Sequence, residues 1–225
     1  MKKILLIALI FIYIALPLSN KLHSEFNITR IKYSGGGDWY GDPSSLPNLL
    51  KFVEENTQIK TANNEIKSKI NDSKFFDNSY YYLTGHGNIK FTNKEREVLR
   101  EALLNGGFLH ADDNYGMDES FRKEIKKIFP EKELVELPKN HKIFNIFYKL
   151  PNGLPKIHKH DGNPPKALAL FDNNKIIVLY TYESDLGDGW EDANVHNVSI
   201  TKRQSALKMG TNIIINYLTE QYYDQ

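Results

Sequence analysis

The stretch Gly106-Gly107-Phe108-Leu109-His110-Ala111-Asp112-Asp113-Asn114-Tyr115-Gly116 decides how this chain is read. A glycine pair releases the backbone from a preceding helix, an apolar run of strand length follows, and two carboxylates end it. Such a run fills an interior strand, so Asp112 and Asp113 emerge where the strand stops. Adjacent acids there are costly to desolvate without partners. The stretch therefore predicts a buried strand and a polar site at its carboxyl end.

The flanks repeat the theme. Thr92-x-x-Glu95 spells a capping box, and Val98, Leu99, Ala102 and Leu103 give the inward stripe of a helix that closes at Gly106-Gly107. Before it, Tyr80 to Leu83 reads as a second buried strand, ending in Thr84-Gly85-His86-Gly87-Asn88. After it, Met117 to Phe129 has helical spacing and is stopped by Pro130. Upstream, Phe26 to Tyr33 alternates as a first strand, and Leu46 to Glu55 forms a helix capped by Ser44 or Ser45. The polar segment Gln58 to Asn78 suggests an edge strand near Ile59 and a helical turn from Ile66 to Ile70. Leu134 to Leu137 reads as a further strand. Ala167 to Phe171 and Lys175 to Tyr182 flank the hairpin signal Asp172-Asn173-Asn174, and a last helix covers Thr201 to Tyr222. The expected fold is an α/β three-layer sandwich, a mostly parallel sheet with an antiparallel extension.

The chain has 225 residues, room for one ordinary domain. Its 29 basic and 28 acidic residues leave a formal charge of +1 with no basic stripe, which argues against nucleic acid as a partner. The absence of cysteine removes disulfides, thiolate metal sites and a cysteine nucleophile. Lys2 and Lys3 precede an apolar run from Ile4 to Leu16 that ends at Pro17, a secretory leader pattern short for a bilayer span. Residues 1–24 are thus read as a signal peptide, or as an N-terminal anchor if uncleaved, and residues 25–225 as a single exported domain of the periplasm or cell envelope.

In a wound sheet the loops after parallel strands gather along one edge. Here that edge would collect Asp38, His86, Asp112 and Asp113. Carboxylates beside an imidazole either tune one acid for proton transfer or hold a divalent metal. The expected catalytic set is Asp113 as base or nucleophile, His86 as its proton partner, and Asp112 for orientation or metal contact, with amides of Gly85 to Gly87 facing an oxyanion. A helix cap and an ion pair are the structural alternative for the two acids. His158, His160 and Asp161 are metal candidates, since an extended His158-Lys159-His160 places both rings on one face; a surface loop is the alternative. Asp185, Asp188, Glu191 and Asp192 resemble a cation loop without matching the calcium-loop pattern, and a solvated acidic loop anchored by Trp190 competes with that reading. Arg122 and Arg203 are candidates to neutralise these acids. The rings of Trp39, Tyr40, Tyr115 and Trp190 suit a different function, stacking on a small polar ligand, a saccharide, a peptide or a partner protein.

Five segments, S-G-G-G-D-W-Y, L-T-G-H-G-N, G-G-F-L-H-A-D-D-N-Y-G, G-L-P-K-I-H-K-H-D-G and Y-T-Y-E-S-D-L-G-D-G-W-E-D, together resemble the bacterial family called domain of unknown function 4159, over about Ile28 to Leu218. The resemblance implies a flavodoxin-like fold similar to class I glutamine amidotransferases. It also implies bacterial-envelope company, including membrane proteins with von Willebrand A domains. It carries no settled activity. By that likeness Asp112 or Asp113 falls near the nucleophile elbow, but a chain without cysteine cannot run a thioester mechanism. Three functions stay open: a hydrolase lacking the amidotransferase cysteine, a non-catalytic binding module, or a subunit of a membrane-associated complex.

Overall fold

The computed structural model describes residues 25–222, so the leader reading of residues 1–24 lies outside the described residues. In chain order the strands are β1 (Thr29–Ile31), β2 (Ile66–Ser68), β3 (Tyr80–Gly85), β4 (Phe108–Asp113), β5 (Val135–Glu136), β6 (Lys166–Asp172) and β7 (Lys175–Tyr182). The helices are α1 (Ser45–Asn56), α2 (Asn93–Leu104), α3 (Asp118–Ile128), α4 (Leu186–Trp190) and α5 (Ile200–Tyr222). The strands form one sheet in the order β2-β1-β3-β4-β7-β6-β5. Neighbours from β2 through β7 are parallel, wound as in flavodoxin-like sheets, and β6 and β5 extend it antiparallel.

Period-two alternation splits the interior into two cores. Leu109 and Ala111 of β4 join Tyr81 and Leu83 against α2 and α3, while Phe108 joins Tyr80 and Tyr82 against α1 and α5. The sheet is therefore the middle of three layers. Local chemistry sets several boundaries as expected. The capping box closes with Glu95 N–H donating to Thr92 Oγ1 at 3.2 Å and Thr92 N–H donating to Glu95 Oε2 at 2.7 Å. Asn173 and Asn174 turn the β6–β7 hairpin at φ of 46° and 65°, left-handed values that asparagine tolerates.

Other boundaries differ from the sequence expectation. Ile66–Ser68 is a strand paired parallel with β1, not a helical turn, because its backbone partners lie 37 residues away, Thr29 opposite Ile66. No strand forms at Ile59; an isolated bridge joins Phe26 and Thr61 instead. Ser44 precedes α1 without capping it through its side chain, since its hydroxyl accepts from Asp192 N–H at 3.0 Å and its amide donates to Glu191 Oε1 at 2.7 Å. The acidic stretch after β7 is not a solvated loop: it folds into α4, and Glu183, Asp185, Asp188 and Glu191 are all buried. Among the described residues no helix is long and apolar enough to cross a membrane.

Candidate metal centre at the strand ends

Alternation along β4 sends its two terminal acids to opposite faces. Asp112, fully buried on the α1/α5 side, accepts from Thr181 Oγ1 at 2.5 Å and from Gly187 N–H at 2.7 Å. Burial pushes its carboxyl up to about 7 against the pull of those donors. Asp113, on the α2/α3 side, accepts from Glu183 N–H at 3.2 Å and Tyr115 N–H at 3.3 Å, and burial raises it too. Each acid thus fastens backbone that follows β4 or β7. Gly187 lets α4 come this close, since a Cβ there would stand 2.6 Å from Asp42 Oδ2.

His86 is engaged elsewhere. Its Nδ1 lies 3.1 Å from Asp38 Oδ2, and its amide donates to Asp38 Oδ1, which removes that N–H from any oxyanion site. The approach depends on Gly85, at φ 138°, where a Cβ would meet the Asp38 carbonyl carbon at 2.9 Å. Gly87, also at positive φ, follows in the same turn. Asp112 and Asp113 therefore face opposite sides of the sheet, and among the described residues His86 hydrogen-bonds to Asp38 and to neither of them, whereas the sequence expectation had the three acting together.

A different cluster forms beside them. Asp185 begins α4 in a left-handed conformation, and Asp188 lies within that helix, so both carboxylates turn toward a set of histidines. His158 Nδ1 is 2.5 Å from Asp188 Oδ2 and 3.8 Å from Asp185 Oδ2, and His160 Nε2 lies directly against Asp185 Oδ2. His196 Nε2 is 3.4 Å from Asp188 Oδ1 and 3.8 Å from Asp42 Oδ1. The segment carrying His158 is tied to the end of β7 by Ile157 N–H donating to the Ser184 carbonyl at 2.8 Å and Ser184 Oγ donating to the Pro155 carbonyl at 2.6 Å. Burial, with Asp112 and Asp188 close by, lifts Asp185 to about 9. Burial and the Asp42 carboxylate against it raise Asp188 as well. Burial lowers His158 and His160, favouring neutral rings. Asp42, Tyr115, Glu183 and Asp185 all hold positive φ without being glycine, strain of the kind that gathers at functional sites. Neutral imidazoles facing carboxylates that resist ionising form a donor set a divalent cation would relieve.

Residues 27–218 match the family model described as a domain of unknown function, DUF4159. The chain belongs to that family. None of the curated proteins matches it.

The DUF4159 match takes in every residue of this cluster, and the remaining sequence candidates fall around it. Tyr115, half exposed, stacks on His160 with centroids 4.8 Å apart and donates its hydroxyl to Asp161 at 3.1 Å, and Asp161 stands in neither of the cation-sized groups found among the described residues. Trp39 is partly buried, with the Lys32 ammonium 5.3 Å from its ring and Tyr40 edge-on at 5.6 Å; Tyr40 itself is exposed. Trp190 offers no stacking face: it is fully buried and donates Nε1–H to the Ala206 carbonyl at 2.8 Å. Glu191 ties down the start of α1. Arg122 pairs with Asp118 at 2.7 Å and Arg203 reaches the Gly189 carbonyl at 3.5 Å, while Lys156, not singled out from sequence, meets Glu183 at 2.5 Å. Sequence reading also missed Asp42 and His196. Asp42 stood in the glycine-rich loop already under suspicion, four residues past Asp38, whereas His196 lies in the featureless polar run Asp192-Ala193-Asn194-Val195-His196-Asn197.

Proposed function

We propose that this DUF4159 domain is a divalent-cation-dependent hydrolase working at the carboxyl edge of its parallel sheet. One observation carries the reading. Asp185, almost fully buried, turns Oδ2 to two imidazoles and leaves Oδ1 with no hydrogen-bond partner, an arrangement costly for a carboxylate unless a cation completes it. His158, Asp185 and Asp188, whose ligand atoms lie within 4.8 Å of one another, would hold the ion. Nitrogen and oxygen donors of this kind suit zinc, manganese or iron. The ion would polarise a substrate oxygen and ease deprotonation of water.

The chain's own groups account for the rest. Asp112 and Asp113 position α4 and the turn at Glu183. His86, with Nδ1 held by Asp38, keeps Nε2 free for a proton at the exposed rim. Tyr115 offers an exposed ring where a substrate would lie. The leader pattern supports action outside the cytoplasm, in the cell envelope, where von Willebrand A-type membrane proteins are the expected company. Exposed Tyr40 and Tyr115 favour a second reading, a saccharide-binding module, which loses its strongest element with Trp190 buried.

Elemental analysis of the full chain, purified without chelator, tests the proposal. Near-stoichiometric transition metal that disappears in Asp185→Asn, with ester or phosphoester hydrolysis lost in parallel, is the expected result. A wild-type chain that carries no metal and takes up none on titration with zinc or manganese overturns it.

A further inference from the structure

We propose that this edge holds two divalent cations, side by side, with the Asp188 carboxylate shared between them. The inference rests on the hydrolase reading and deepens it. Asp188 presents its two oxygens to different imidazoles: Oδ2 to His158 Nδ1 at 2.5 Å, Oδ1 to His196 Nε2 at 3.4 Å. Each side has its own second acid. Asp185 stands with His158, and Asp42 stands with His196, whose Nε2 is 3.8 Å from Asp42 Oδ1. In both triads, His158–Asp185–Asp188 and Asp42–Asp188–His196, the ligand atoms lie within 4.8 Å of one another.

Ordinary hydrogen bonding explains the second triad poorly. His196 Nε2 faces two carboxylates at 3.4 and 3.8 Å, long for hydrogen bonds to either. Ligands at about 2.1 Å from one tetrahedral ion stand about 3.4 Å apart, which matches the 3.4 Å from His196 to Asp188 and falls short of the 3.8 Å to Asp42. The Asp42 and Asp188 carboxylates also place ligand atoms within 4.8 Å of one another, so like charges meet here and a cation would offset them where a shared proton otherwise must. Asn114 supplies an independent sign. Its Nδ2 donates to Asp42 Oδ2 at 2.8 Å, leaving Asp42 Oδ1 toward His196, while its own buried Oδ1 has no partner among the described residues. The donors come from four places in the chain: the loop after β1, the segment before β6, α4, and the connection from α4 to α5. The fold brings them together only here.

Titration of the chelator-stripped full chain with manganese chloride, followed by calorimetry and low-temperature electron paramagnetic resonance, tests the pair. Two equivalents with an exchange-coupled spectrum are expected for the wild type. His196→Ala and His196→Gln should each bind one equivalent with an uncoupled spectrum, and their thermal melts without metal should match wild type because His196 sits on a partly exposed connection. Asp188→Asn should abolish coupling and weaken both equivalents. One equivalent in the wild type, unchanged by either His196 substitution, overturns the shared pair and leaves the single-cation hydrolase standing. No manganese bound by the wild type removes both.

Discussion

Two pairs of carboxylates stand at the carboxyl ends of neighbouring strands, Asp112 and Asp113 closing β4 and Asp185 and Asp188 following β7, and the two pairs have opposite fates. Asp112 and Asp113 are consecutive on an extended backbone, so they diverge to different faces and each is met by hydrogen bonds from the chain beyond β7, Gly187 N–H for one and Glu183 N–H for the other. Asp185 and Asp188 are three apart, the first in a left-handed conformation and the second in the helix it opens, so they share one side and meet imidazoles. Spacing and backbone conformation, not the number of acids, separate a scaffold from a ligand set. The β4 pair holds in place the segment that the β7 pair works from.

That division is tested most severely at Asp185. Asp185→Asn should lower cation affinity by at least ~100-fold by titration calorimetry, beyond the 10- to 100-fold typical of supporting residues. The same change should leave the metal-free protein as stable as wild type or more so, because it removes a buried carboxyl whose ionisation is disfavoured. A wild-type affinity in this variant breaks the comparison.

Next in size is Gly187→Ala. Its methyl would press on Asp42 Oδ2 at 2.6 Å and the Tyr82 hydroxyl at 3.0 Å, both within the packed interior. Overpacking of this kind costs about 1–3 kcal/mol in denaturant unfolding, and cation binding should weaken with it as α4 shifts. An unperturbed variant would show that α4 is not set by its contact with β4.

The pH dependence sharpens the contrast further. Asp112 titrates at about 7 and Asp185 at about 9 in the folded chain, against about 4 when unfolded. Between those values these two acids hold protons in the metal-free native state that they lose on unfolding, so their contribution to stability falls as pH rises from about 4 toward 9, while buried His110, lowered to about 3, works in the opposite sense below about 6.5. Asp112→Asn should flatten the decline below pH 7, and saturating cation should oppose it above, because the ion takes the place of the protons. Melting temperatures across that range, with and without metal, read both effects.

Much of the scaffold was legible because its signals are local. The Phe108 to Ala111 run, the Thr92–Glu95 capping box and the Asn173-Asn174 turn act within a few residues of themselves. β2 was not legible, since only pairing with distant β1 makes Ile66–Ser68 a strand. The carboxyl-edge location of the site followed from the winding of the sheet, but its membership did not. Asp112 and Asp113 were expected to serve one site because both close β4 at the gathering edge of the sheet, but alternation along a strand sends consecutive side chains to opposite faces. Asp185 and Asp188 looked solvated because composition does not reveal that α5 packs against α4 and the segment before β6 closes over it. His196 had no pattern around it at all.

The smallest expected effect is the most discriminating. Asp113→Asn keeps a carbonyl oxygen to accept one of the two amides that the carboxylate holds, at 3.2 and 3.3 Å, and loses the other. One such bond is worth about 1 kcal/mol, so unfolding should shift by that amount and cation affinity by less than ~10-fold. Hydrolysis should fall only as far as cation occupancy does, and excess metal should restore it. If activity vanished while the bound metal and the melting temperature held, Asp113 would touch the reacting atoms. The strand end read here as scaffold would then be half of the active site, as its position beside a wound sheet's crevice first suggested.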